Sequence, residues 1–164
     1  LDELQFFKPF IILTKMSESI LDEDNSKPLD YFLWQKAEGL NMEMHGLETV
    51  AEQVETMYKL DLDEQVRMLR KSLKNINQLK TSTLQLAQYY QEQNITQLFK
   101  STKKSLGKFR KILLYDRNKV MAERISANAT QKSFYTIGAA HLAGKKGVLK
   151  LIKDQGLKVK AIIL

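Results

Sequence analysis

The residues with chemical potential are few. The chain has two histidines and no cysteine. One histidine closes the stretch Gly138-Ala139-Ala140-His141, at the end of the apolar run "FYTI". Neutral imidazole is a good ligand for divalent metals and titrates near pH 6.5 when unperturbed. A glycine ahead of it lets the backbone turn sharply, and two alanines leave room for a ligand. The plain alternative is a turn histidine hydrogen-bonded to backbone, and residue types alone leave both open. In "HGLET", Glu48 stands at a strand-to-helix junction. There a carboxylate is held by helix N-terminal amides, ligates a metal or serves as a general base, or is simply a solvated first-turn glutamate. In "YDRNKVMAER", Arg117 and Asn118 sit among apolar helix residues. An arginine so placed usually needs a carboxylate partner, so Arg117 either orients Glu48, stabilises an oxyanion, or lies in solvent near a helix start. His45 has no such spacing before it and reads as structural or exposed.

Other chemistries are excluded. Without cysteine there is no disulfide, thiolate metal site or cysteine nucleophile. "GAAHLAGKKG" is not a Walker A loop, because five residues separate Gly138 from Gly144 and Lys146 stands where Ser or Thr is needed. No Gly-x-Ser-x-Gly elbow and no His-Glu-x-x-His occurs, so a metal site would draw its ligands from distant segments. The net charge of +7 permits an anionic partner. The one dense basic run, Lys100–Lys111, contains a single aromatic, Phe109, without the interleaving of a nucleic-acid platform. It reads as a solvated helix face, and nucleic acid is not the expected partner. No run of eighteen apolar residues is present to span a membrane. The chain opens at Leu1 with no basic-then-apolar leader, which reads as a removed N-terminal segment or a start within a longer protein.

The elements that position these residues follow from periodicity. Residues 1–164 read as one domain. Pro9–Met16 is a helix opened by proline, Leu21–Pro28 a polar loop, and Leu29, Phe32, Leu33 and Ala37 form the stripe of a helix stopped by Gly39. Asn41–Thr49 reads as a strand, followed by a helix over "VAEQVETMYKL". Asp61-x-x-Glu64 starts one long helix from Leu62 to about Gln91. Asn94 with Gln97 caps another, to about Ser101, and "KFRKILLYDRNKVMAERISANA" is a further helix with Ile112, Tyr115, Val120 and Ile125 inward. The end changes rhythm: "SFYTIG" and "LKVKAIIL" read as strands around a helix closed by Gly156. Strand, helix and strand make a βαβ unit with parallel strands, which puts His141 at the carboxyl end of a strand, where open α/β sheets bind ligands. The fold expected is therefore α/β and helix-rich, with a small, mostly parallel sheet and a C-terminal βαβ unit. Three strands are few for so much helix, so the chain reads as the C-terminal portion of a larger domain.

Three stretches, "LDYFLWQKAEGLNMEMHGLETVAEQV", "LLYDRNKVMAERI" and "FYTIGAAHLAGKKGVLKLIKDQGLKV", together resemble the TraB/GumN family, which includes the Tiki-type metalloproteases. The order and spacing are similar to the later half of that domain over most of this chain. The resemblance implies a metal-dependent hydrolase, plausibly a peptidase with peptide or protein substrates, exported or periplasmic, using a divalent metal. It implies that Gly138 and His141 form the second of two Gly-x-x-His motifs, with Glu48 and His141 as metal ligands. Glu48, Arg117 and His141 would be the catalytic groups, supported by Gly138 and Asn118. No first Gly-x-x-His occurs in this chain; in the family it lies upstream. A non-catalytic ligand- or protein-binding module of the same fold is the alternative.

Overall fold

A computed structural model describes residues 6–21, 28–130 and 132–162. Most of the loop expected over Leu21–Pro28 lies outside the described residues, as does the end of the last expected strand. Eight α-helices follow one another among the described residues: α1 (Pro9–Glu18), α2 (Leu29–Gly39), α3 (Val50–Tyr58), α4 (Leu62–Lys74), α5 (Ile76–Gln91), α6 (Ile95–Leu106), α7 (Arg117–Ala127) and α8 (Val148–Asp154).

Local chemistry sets most boundaries. Pro9 opens α1, where its missing N–H costs nothing. The Asp61 and Asn94 side chains accept from the amides of Glu64 and Gln97 and cap α4 and α6. Gly156, at φ +93°, follows α8 in the left-handed conformation that ends helices. The long helix expected over Leu62–Gln91 is instead two, broken at Asn75 (φ −128°, ψ 51°). The Asn75 carboxamide donates to the Lys71 carbonyl at 3.0 Å, a local bond that competes with helix continuation.

Between α6 and α7 the helical path changes pitch. A 3₁₀ turn at Gly107–Phe109 gives way to a π-helix at Lys111–Asp116, which runs directly into α7. Its i→i+5 bonding shifts the inward face. Leu113, Leu114 and Met121 are buried where a uniform period points Ile112, Tyr115 and Val120 inward, and Ile125 keeps its inward place.

The expected α/β architecture is not what forms. Among the described residues the chain is all-helical, with no strand, no sheet and therefore no βαβ unit. The physical reason is visible at 132–138. Tyr135 and Ile137 pack against Met121, Ile125 and Val148 while Phe134 is 77% exposed. The alternation is real, but the apolar face is covered by helices. No backbone hydrogen bond of this segment builds a ladder, and without a ladder an extended run is not a strand. Residues 157–162 likewise form no strand, with Ile162 83% exposed. At 42–48, the third expected strand, the chain is also irregular.

Two apolar clusters organise the helices. Leu60, Phe109 and Leu113 gather Phe10, Met57, Met68, Leu106 and Ile112 where α1 packs on α4. The second, around Met121, Ile125 and Val148, holds α7 against α8 and takes in Leu47. α2 buries no residue fully. α6 packs on a short 3₁₀ turn at Ala139–His141, so a buried aromatic, Phe99, backs the turn that carries the histidine.

Gly144 makes that packing possible. It adopts φ +89°, and a Cβ there would stand 2.4 Å from the Phe99 ring. Gly144→Ala is expected to cost about 2–4 kcal/mol, combining left-handed backbone strain with overpacking. The measurement is a urea melt, in which the midpoint falls while the slope is kept. An unchanged midpoint would show that α6 does not press on this turn.

Candidate functional site

Three separate segments meet at the start of α7. The first is the turn before α3. Thr49 is the N-cap of α3; its hydroxyl accepts from the Glu52 amide at 3.2 Å, and the Glu52 carboxylate accepts from the Thr49 amide at 2.7 Å. This reciprocal box fixes the chain direction on entering the helix. It leaves Glu48, one residue earlier, free to reach away from the helix amides.

Glu48 reaches Arg117. Arg117 Nε donates to Oε1 at 2.8 Å and Oε2 at 3.1 Å, and Nη2 donates to Oε2 at 2.6 Å. The pair is bidentate and the Glu48 side chain is only 7% exposed. Fork-to-fork geometry of this kind is the strongest arrangement open to an arginine and a carboxylate.

The next residue, Asn118, is fully buried and links the third segment. Its Nδ2 donates to the Lys146 carbonyl at 2.7 Å, and its Oδ1 lies 2.6 Å from His141 Nδ1. The first bond fixes which way the amide points, so an acceptor-only oxygen faces the ring. His141 Nδ1 must then carry the proton. The lone pair is left on Nε2, which has no hydrogen-bond partner among the described residues and is not sealed from solvent. A neutral imidazole with its second nitrogen anchored in this way is an oriented ligand or proton acceptor.

Burial is the main cause that lowers the His141 pKa from 6.5 to about 4; the positive charge of Arg117 adds to it and the negative charge of Glu48 opposes it. His141 is therefore neutral at pH 7. Lys146, whose carbonyl anchors the network, is held by Gly147, where any Cβ would lie 2.2 Å from the Ala143 carbonyl oxygen.

The structure thus brings Glu48, Arg117, Asn118 and His141 together. The Gly138 carbonyl accepts from the His141 amide at 2.9 Å. Its φ of −54° and the ordinary 3.6 Å spacing between a Cβ there and the His141 ring do not require glycine. His45 is exposed and bonds to Glu43. His141 follows an extended segment and not a strand, so the sheet-edge argument for its position lapses. As metal donors the two residues differ. His141 Nε2 fits, whereas both Glu48 oxygens are engaged by Arg117. Among the described residues no group of three His, Cys, Asp or Glu side chains could hold an ion. Sequence reasoning missed Arg124 and Glu52. Arg124 Nη1 donates to Glu52 Oε2 at 2.9 Å and Nη2 to Oε1 at 2.5 Å. Hydrogen bonds from Arg124 and Thr49 bring the Glu52 pKa down to about 2. The signal for this cluster was the Thr49-x-x-Glu52 spacing, which is a capping box.

The folded state binds the His141 proton less tightly than the unfolded chain does. The stability this contributes is complete above pH 6.5 and is lost as pH falls through about 4. A ¹H–¹⁵N titration of the two histidines, assigned with His45→Gln, is expected to give His141 a midpoint near 4 with the proton on Nδ1 at neutral pH. A midpoint near 6.5, or a proton on Nε2, would contradict the orientation derived from Asn118.

The metalloprotease TIKI2 of Danio rerio is 25% identical over 92% of this chain and 35% of that protein's length. The chain thus spans about a third of that relative. No solved structure matches the chain. The TraB/PrgY/gumN family model matches residues 2–161, nearly the whole sequence. The chain belongs to the TraB/PrgY/gumN family.

Proposed function

We propose that this chain contributes one side of the site of a metal-dependent hydrolase acting on peptide or protein substrates. The observation that carries the reading is the neutral His141, its Nε2 lone pair held outward by a buried asparagine beside the Glu48–Arg117 pair. A protein that needed His141 only for packing would have no use for a fixed, unpartnered nitrogen. The likeness to a protein named as a metalloprotease supports the same class, and export is the location the family resemblance implies.

In this reading His141 is the metal ligand that this chain provides, with further ligands coming from outside the described residues. A divalent ion held there supplies a water of lowered pKa. Glu48 is a carboxylate at the reacting centre, aimed by Arg117. Arg117 Nη1 lies outside the pair and is the donor left to face a substrate carbonyl oxygen as it gains charge. Asn118 keeps the His141 ring in one tautomer. A second reading, a binding module without catalysis, is favoured by one observation: Glu48 is already satisfied by Arg117.

The test uses the full polypeptide that carries this chain, assayed against an unfolded protein substrate with zinc, manganese or cobalt and then with chelator. His141→Ala and Glu48→Gln are each expected to lower turnover by about a hundredfold or more, with the fold retained by circular dichroism. Arg117→Lys, which loses the fork, is expected to lower it by about tenfold or more. Full activity in His141→Ala would sink the hydrolase reading, and so would a wild-type protein that binds peptide but cleaves none with any of the three metals.

A further inference from the structure

Glu48 is gripped twice, once by its side chain and once by its main chain. Arg117 takes the carboxylate. Behind it, Arg124 Nη1 donates to the Leu47 carbonyl at 2.5 Å. The same guanidinium forms the fork on Glu52, and Glu52 Oε2 accepts from the Thr49 amide at 2.7 Å. The residues on either side of Glu48 are therefore both tied, directly or through one carboxylate, to Arg124.

The spacing explains how one helix does both jobs. Arg117 and Arg124 are seven residues apart on α7. At 3.6 residues per turn they fall nearly in line, about 10 Å apart along the axis. One face of α7 thus holds the Glu48 side chain at one end and its backbone at the other. A capping box needs only its own Thr and Glu. The bond from Arg124 to Leu47 spans 77 residues of sequence and adds nothing to the cap of α3. What it fixes is the turn on which Glu48 stands. A carboxylate on a long side chain keeps one aim only if its backbone is held as well.

We propose that Arg124, acting with Glu52, is a positioning residue that sets the aim of the Glu48 carboxylate. It touches no reacting atom in the site described above and works through the backbone of 47–49. Its consequence for turnover rests on the hydrolytic reading of that site; its consequence for geometry does not.

Two arms separate these. With arginine labelled with ¹⁵N in the full polypeptide, the Arg117 Nε–H resonance reports the fork on Glu48, and Glu48→Gln identifies it. Arg124→Lys, which keeps the charge and loses the fork, and Glu52→Gln are both expected to speed exchange of that proton by about tenfold or more. In the activity arm both are expected to lower kcat by about ten- to a hundredfold with KM changed less than about twofold. Two independent variants guard against one that fails to fold. A lower melting temperature in either, with the Arg117 signal unmoved, would overturn the proposal and leave Arg124 a structural residue only. A loosened Arg117 signal with kcat unchanged would overturn it too. If the wild-type protein cleaves nothing, the hydrolytic reading fails and the Arg117 resonance alone decides the positioning role.

Discussion

The site hangs on one buried carboxamide. Asn118 has no exposed surface and can satisfy its amide only by reaching the Lys146 carbonyl and the His141 ring. A buried polar group without partners costs about 1–3 kcal/mol. The segment from His141 to Lys146 is therefore compelled to bring one donor, the His141 Nδ1–H, and one acceptor, the Lys146 carbonyl, to the first turn of α7. That in turn requires α8 to begin close by, which the Met121, Ile125 and Val148 cluster secures. Because Arg117 is the neighbour of Asn118, the same anchoring places a guanidinium where Glu48 can meet it. Packing, hydrogen bonding and charge pairing converge on two consecutive residues.

The irregular run into α7 belongs to this arrangement. A π-helical stretch lies directly ahead of Arg117 and carries the buried neighbours Leu113 and Leu114. The widened turn sets α7 on a new register, with Asn118, Met121, Ala122 and Ile125 inward. Arg117 then sits at the rim of the core, partly covered and partly accessible, where an ion pair is screened less than on an open surface.

Legibility in the sequence followed the range of each interaction. Caps and stops were readable because they act within four residues: Pro9 for α1, Asp61 for α4, Asn94 for α6 and Gly156 after α8. Glu48, Arg117, Asn118 and His141 could be named from residue type and from family resemblance. Their pairings could not, since Arg117 and Glu48 lie 69 residues apart and Asn118 and His141 23 apart. The sheet failed for the same reason. Alternation at Tyr135 and Ile137 specifies an extended chain with one apolar face, and only the tertiary fold decides whether strands or helices cover it. Arg124 was missed because nothing local distinguishes it from a solvated helix arginine.

Charge balance explains why these residues suit one another. Arg117 and Glu48 cancel, and their effects on His141 oppose, so burial becomes the leading influence on the ring. A lone Glu48 beside His141 would instead favour the imidazolium, which has no lone pair to offer. A lone Arg117 would leave a partly buried cation uncompensated. Paired, the two preserve a neutral imidazole while remaining hydrogen-bonding groups of fixed direction. The arginine fork thus supports the neutral ring that burial already favours, as well as bracing Glu48.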